Sequence, residues 1–356
     1  MLRKTVGGRI KRSTSSVPTL DQSTGSDLWS LGELVRRAGL VSMGQHLEVE
    51  AFSGGVSCTV VLVRTNQEAW VVKQALPRLR VKDLWLADRN RIFAEVACLR
   101  LFRDRISGHP APMVLFEDRE NFSCVLEYAG DGSRNWKHDL MAGVVDSAVT
   151  RRVASVLAEF HSRTQGDEEV KRRFWDNTNF HQLRLDPYLS TTAAKHPALK
   201  PQLDEVSSFL AEERTCLVHG DFSPKNILLL PDGRLWVIDC EVAHYGNPIF
   251  DIAFCTNHLI LKSIYLDSLP HLEEGRSLWS AYWSGTRFAH LEGEAVRTLS
   301  ALMLARIDGK SPVEYLSERE RRVVRSISRT LIQARDDSFA TLTGMVSDHI
   351  RAEGSQ

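Results

Sequence analysis

The alternation of apolar and polar residues first predicts a short β-rich region. An amphipathic helical pattern at residues 27–40 precedes three strand-length, β-branched runs at residues 47–53, 58–65 and 70–75. Short polar turns separate these runs, and no helical pattern lies between them. The spacing therefore predicts an antiparallel meander that follows a single helix.

The pattern then becomes helical. Residues 83–104 carry apolar positions at helical spacing, and strand-like runs return at residues 113–118 and 122–129. Beyond Gly130 most of the chain has a helical period, and the longest such stretch covers residues 139–164. This order predicts an α+β, two-lobed fold, with a small antiparallel-sheet lobe and a larger, mainly helical lobe.

The predicted organisation has three parts. We expect the small lobe at residues 27–129 and the helical lobe at residues 130–356. Residues 1–26 are basic and contain no acidic residue before Asp21. Two interpretations of this segment stay open: a disordered or over-extended start, or an acid-poor targeting presequence.

Composition narrows the class of protein. Among 356 residues, 45 Lys and Arg balance 45 Asp and Glu, so overall charge favours neither nucleic acid nor a membrane surface. Six cysteines lie in apolar segments without a C-x-x-C pair, which predicts buried free thiols and a cytoplasmic protein. No apolar run of 18 residues predicts a membrane span. Monomer and dimer both remain open.

Two segments combine polar residues that suit metal-dependent phosphate chemistry. In VHGDFSPKNI, Asp221 can accept a proton from a hydroxyl, and Asn226 can offer an amide oxygen to Mg²⁺. In VIDCEVAHYG, Asp239 ends a strand, and Glu241 would lie on the same side if the extended conformation continued. We therefore expect two carboxylates and an amide around one hard cation.

Phosphoryl transfer also needs positive charge near the phosphates, and the small lobe offers it. Lys73 ends the run WVVK, and Glu95 follows 22 residues later on the predicted helix, where it can orient the lysine. Gly54 and Gly55 form a turn one strand earlier, where backbone N–H groups can approach phosphate.

HGDFSPKN followed by IDCE resembles the active-site loops of the aminoglycoside phosphotransferase and choline kinase-like family of small-molecule kinases, which have a protein-kinase-like fold. The segments FHQLRLDPYL and LARIDGKSPVEYL are most similar to the branch with methylthioribose kinases. The resemblance implies ATP and Mg²⁺ as cofactors and a small-molecule hydroxyl as acceptor. It assigns Asp221 as catalytic base, Asn226 and Asp239 as metal ligands, Lys73, Glu95, Gly54, Gly55, Glu127 and Tyr128 as nucleotide-binding residues, and His219, Glu241 and Asp251 as supporting residues.

Two other functions remain as alternatives. An aminoglycoside phosphotransferase would need an acidic acceptor pocket, for which Asp267, Glu273 and Glu274 offer carboxylates. A non-catalytic nucleotide-binding protein on the same fold is the second. For His244 and Tyr245 a structural role and contact with substrate both remain open. We expect purely structural roles for His258, Trp279 and Trp283.

Overall fold

The computed structural model describes residues 25–52, 57–80 and 87–354. The predicted glycine turn at Gly54 and Gly55 lies outside the described residues, as do residues 1–24 of the basic tail.

Short strands and longer helices make up the described chain. The strands are β1 Glu48–Ala51, β2 Cys58–Arg64, β3 Ala69–Ala75, β4 Val114–Asp118, β5 Ser123–Glu127, β6 Arg134–Asn135, β7 Cys216–Val218, β8 Ile227–Leu229, β9 Leu235–Val237 and β10 His244–Gly246. The α-helices are α1 Gly25–Arg37, α2 Arg91–Arg105, α3 Trp136–Met141, α4 Ser147–Thr164, α5 Glu168–Arg173, α6 Thr178–Phe180, α7 Thr191–Lys195, α8 Lys200–Glu212, α9 Ile249–Tyr265, α10 Leu269–Gly285, α11 Glu292–Asp308, α12 Glu318–Ala334 and α13 Phe339–Gly354. A π-helix covers His181–Ser190, and 3₁₀ turns cover Pro197–Leu199, Pro224–Asn226 and Ala289–Leu291.

The small lobe is a five-stranded sheet in the order β1-β2-β3-β5-β4, and every neighbouring pair is antiparallel. The predicted meander is therefore confirmed. Helix α1 packs on one face because Leu34 and Val35 meet the buried strand residues Val61, Val63 and Val72. Alternation along β2 and β3 provides this apolar face, since every second strand residue points the same way.

Two predicted helix boundaries were wrong. Helix α2 begins at Arg91, and the described residues 87–90 before it are not helical, while residues 83–86 of the predicted stretch lie outside the described residues. The stretch at 139–164 is two helices, since α3 ends at Met141 and α4 begins at Ser147. Between them Gly143 has φ +83°, and the Asp146 side chain accepts the first free N–H groups of α4. Apolar periodicity continued across this break, but backbone conformation and capping divide the helix.

The larger lobe is mainly helical, as predicted, and its core is continuous with that of the small lobe. Helix α9 is buried along almost its whole length and packs against α10 and α11. Two small sheets, β7 with β10 and β6 with β8 and β9, position the loops at the lobe boundary. All six cysteines are buried and free. Among the described residues, no helix is both long and apolar enough to cross a membrane. The predicted α+β class is confirmed.

Candidate active site

A tight loop follows β7 at the boundary between the lobes. Gly220 adopts φ +76°, and a Cβ at this position would lie 2.7 Å from the carbonyl oxygen of Val242. The buried carboxylate of Asp251 accepts the backbone N–H groups of His219 at 2.7 Å and Gly220 at 2.9 Å. Asp251 was expected to support the loop in this way, and these bonds fix its shape. His161 also contacts Asp251 at 3.2 Å.

Asp221 projects from this loop into a cationic setting. The Asn226 amide nitrogen donates to the Asp221 side chain and to its backbone carbonyl, at 2.9 Å each. Arg184 Nη2 lies 2.9 Å from one carboxylate oxygen, and Lys225 Nζ lies 2.7 Å from the other. Burial opposes ionisation, but the charges of Arg184 and Lys225 outweigh it and lower the pKa of Asp221. The carboxylate is therefore ionised at neutral pH.

The predicted pair of Lys73 and Glu95 is present. Lys73 Nζ on β3 lies 2.6 Å from Glu95 Oε1 on α2 and 2.9 Å from Asp239 Oδ1 after β9. We call these three residues the lysine triad. It joins sheet, helix and larger lobe at one point, and both Lys73 and Glu95 are buried. Burial opposes ionisation of Asp239, but the charges of Lys73 and Lys225 lower its pKa.

The extended conformation that would place Asp239 and Glu241 on the same side does not continue. Strand β9 ends at Val237, and Asp239 takes a left-handed φ of +68°, so the extended alternation stops there. The Glu241 carboxylate instead accepts from Arg91 Nε at 3.0 Å. Glu241, which was expected beside the metal ion, is therefore paired with a buried arginine.

The segment formed by Glu127, the last residue of β5, and Tyr128 was expected to bind the nucleotide. The side chains of this segment are engaged elsewhere: the Glu127 carboxylate accepts from the backbone of Met113 at 3.0 Å, and the Tyr128 hydroxyl donates to Asp131 at 2.7 Å. The N–H of Glu127 donates to the carbonyl of Met113 at 2.9 Å. These contacts tie Glu127 to Met113, just before β4, and Tyr128 to the turn at Asp131.

Several conspicuous residues have structural contacts, as expected. His219 Nδ1 accepts the N–H of Asp221 at 3.1 Å, and its Nε2 lies 3.1 Å from the carbonyl of Ile238. The ring of His244 stacks on Phe180 at 4.1 Å, and burial lowers its pKa to about 4. The Tyr245 hydroxyl donates to a backbone carbonyl at 2.8 Å, and Trp279 Nε1 donates to Glu292 at 2.7 Å.

Three charged residues of the site escaped the sequence analysis. Lys225 lies inside the quoted loop, and its position four residues after Asp221 on a short 3₁₀ turn could have indicated the contact. Arg184 lies on the π-helix, a conformation too rare for the sequence to have predicted it. Arg91 lies on α2, and its side chain is 0% exposed. The surrounding sequence gives no indication that this arginine is buried.

Fold and site together match one class of protein. A model of the phosphotransferase enzyme family matches residues 48–269, which is more than half of the chain. The chain belongs to this family, whose members include small-molecule kinases, and the family prediction is confirmed.

Individual relatives agree with this assignment. Methylthioribose kinase 2 of Oryza sativa subsp. japonica is 26% identical over 230 residues, covering 57% of this chain and 53% of the relative. The chain thus spans about half the length of that relative. Methylthioribose kinase of Pectobacterium atrosepticum is 28% identical over 293 residues, covering 70% of this chain and 72% of the relative. An ethanolamine kinase of Plasmodium vivax has the same fold, with a TM-score of 0.57 at 15% identity, covering 90% of this chain and 93% of the other.

Proposed function

We propose that this protein transfers the γ-phosphate of ATP to a hydroxyl group of a small molecule in a Mg²⁺-dependent reaction. The observation that carries the proposal is that Asp221 lies close to the lysine triad at the boundary of the two lobes, since Lys225 contacts Asp221 and its charge also lowers the pKa of Asp239. A carboxylate base and a buried lysine at one cleft are the groups that phosphoryl transfer requires.

The residues present fit a magnesium ion. Among the described residues no cluster of three or more His, Cys, Asp or Glu side chains could hold a metal by itself. Mg²⁺ in nucleotide enzymes commonly takes one or two protein oxygens and completes its shell with phosphates and water. Asp239 and Asn226 would hold it, and the bound ion would neutralise charge on the phosphates.

The chain's own residues divide the remaining tasks. Lys73, fixed by Glu95, would bind the phosphate oxygens of the nucleotide. Asp221 would accept the hydroxyl proton of the acceptor, and Asn226 holds its carboxylate in place. The backbone beside Glu127 and Tyr128 would contact the base, and Asp251 keeps the catalytic loop rigid through its two backbone bonds.

The charges around Asp221 argue against an aminoglycoside as acceptor. Cationic antibiotics need carboxylates, but Glu273 pairs with Arg276 at 2.5 Å and Glu274 accepts a hydrogen bond from Thr150. The side chains that contact Asp221 are instead Arg184 and Lys225. We therefore place the acceptor among sugars, hydroxy acids and related alcohols rather than among polyamines.

Transfer of labelled γ-phosphate from Mg·ATP to a panel of alcohols tests the function. Asp221→Asn keeps the size of the side chain and removes the base, so we expect turnover to fall by about 10³-fold. Binding of Mg·ATP, measured by calorimetry, should be unchanged. The control is Asp204→Asn, which alters an exposed ion pair with Lys200. Wild-type turnover by Asp221→Asn would refute the role of the base, and failure of the wild type to bind Mg·ATP would refute the kinase itself.

A further inference from the structure

Arg184, which contacts Asp221, lies near a second group of cationic side chains. Arg184 lies on the π-helix with its guanidinium carbon 5.9 Å from the rings of both Tyr188 and Phe254. The Tyr188 hydroxyl lies 3.4 Å from Arg306 Nη1 on α11. A continuous path of aromatic and cationic side chains therefore runs from the catalytic carboxylate into the helical lobe.

A buried lysine lies near the end of this path, close enough for the charge of Arg306 to act on it. Lys262 on α9 is 1% exposed, and its Nζ donates to the carbonyl of His258 in its own helix at 3.2 Å. The same Nζ lies 5.6 Å from the ring of Tyr315. We call Lys262, Arg306 and Tyr315 the basic pocket.

The basic pocket contains polar atoms without partners. Arg306 Nε and the Tyr315 hydroxyl are buried and form no hydrogen bond within the protein. Across residues 25–52, 57–80 and 87–354, neither Lys262 nor Arg306 takes part in an ion pair. Buried cations are normally paired because an isolated charge is costly to remove from water. The pocket is thus short of negative charge.

The electrostatics agree with the geometry. Burial, followed by the positive charge of Lys137 and Arg306, lowers the pKa of Lys262 to about 7. Burial and the charges of Lys262, Arg306, Lys225 and Lys137 lower the pKa of His258 as well. Each of these cations repels the others, and one anion between them would relieve that repulsion.

We propose that the basic pocket binds an anionic group of the acceptor, a carboxylate or a phosphate, while the acceptor hydroxyl faces Asp221. This inference rests on the proposed kinase function and names the class of its substrate. The orientation follows from the contacts, since Arg184 touches both Asp221 and the ring of Tyr188, and Tyr188 in turn contacts Arg306 of the basic pocket. A bidentate guanidinium with a lysine is a common arrangement for either anion.

Matched pairs of alcohols test the acceptor class. Each pair differs by the anionic group: L-homoserine against 3-aminopropan-1-ol, D-galacturonate against D-galactose, and glycerol 3-phosphate against glycerol. We expect the anionic member to stimulate ADP release from Mg·ATP with a kcat/KM about tenfold higher or more. The first two pairs report on carboxylate and the third on phosphate. Higher activity with the neutral or cationic members would overturn the proposal.

Lys262→Met retains the length of the side chain and removes its charge. We expect it to raise the KM for the anionic acceptor about tenfold. Lys195→Met, an exposed lysine on α7 in the same lobe, is the matched control and should behave as the wild type. An unchanged KM in Lys262→Met would contradict anion binding by this pocket.

A binding measurement separates this inference from the kinase function. The protein is loaded with Mg·ADP and its melting temperature is followed with inorganic phosphate against chloride at equal ionic strength. We expect phosphate to stabilise the wild type and Lys195→Met more than Lys262→Met. Equal stabilisation of all three proteins would refute the pocket even if phosphate transfer were established, and a larger effect in the wild type would support it even without turnover.

Discussion

The lysine triad at the lobe boundary, here the balanced side, and the basic pocket in the helical lobe, the unbalanced side, differ in how their charges are compensated. In the lysine triad one buried cation contacts two carboxylates, so positive charge is compensated within the protein. In the basic pocket the cations have no carboxylate partner among the described residues. The lysine triad is suited to a nucleotide whose phosphate charge is neutralised by a bound metal ion. The basic pocket is suited to a ligand that carries negative charge.

A change in the catalytic loop between these two sides should have the largest effect. Gly220→Ala places a Cβ 2.7 Å from a carbonyl oxygen at a position with positive φ. We therefore expect the free energy of unfolding to fall by about 3 kcal/mol. Gly143→Ala also has a positive φ but meets no atom within 4 Å, and should cost only about 1 kcal/mol. Urea denaturation of both variants measures the difference. Equal losses would show that the close approach to Val242 contributes nothing.

Asp239→Asn tests the balanced side alone. Loss of the carboxylate removes a proposed metal ligand and one partner of Lys73, so we expect Mg²⁺-dependent binding of ATP to weaken about 100-fold. Stabilisation by inorganic phosphate at the basic pocket should persist. Calorimetry with and without Mg²⁺ provides the measurement, and a Kd that does not depend on the variant would remove Asp239 from the metal site.

Arg184→Met tests the arginine that links Asp221 to the basic pocket, and its expected effect is smaller. Arg184 lowers the pKa of Asp221, and a catalytic base is active when it is deprotonated, so removing the guanidinium should raise that pKa. The acidic limb of the kcat/KM profile should then move to higher pH, with about tenfold lower activity at the acid end. Arg214→Met, an arginine stacked on Trp175, serves as control. A limb that stays in place would show that Arg184 does not act on the base.

The sequence predicted the lysine triad better than the basic pocket. Lys73, Glu95 and Asp239 lie at the ends of predicted strands or on a predicted helix, at the spacing that phosphoryl transfer requires. Their proximity could therefore be predicted. Lys262 and Arg306 lie on separate long helices whose periodicity indicates only packing. Their proximity depends on how α9 and α11 cross, and no local pattern contains that information.

Local backbone conformation explains the remaining differences. A shared direction for Asp239 and Glu241 depended on the extended conformation continuing, but it stops at Asp239, which has a left-handed φ, and Glu241 pairs with Arg91. Aspartate adopts this conformation more often than most residues other than glycine, but too rarely for the sequence to predict it at one position. The roles assigned to the site residues stay predictions until the variants are measured.

The Arg91 guanidinium has a consequence for how the protein unfolds. It donates to the backbone carbonyls of Ser57 at 2.5 Å and Leu76 at 2.8 Å in the small lobe, and it pairs with Glu241 in the larger lobe. Opening the interface would leave this buried charge without its partner, and one apolar core also runs through both lobes. We expect the two lobes to melt together in a single cooperative transition, so that neither persists as a folded intermediate.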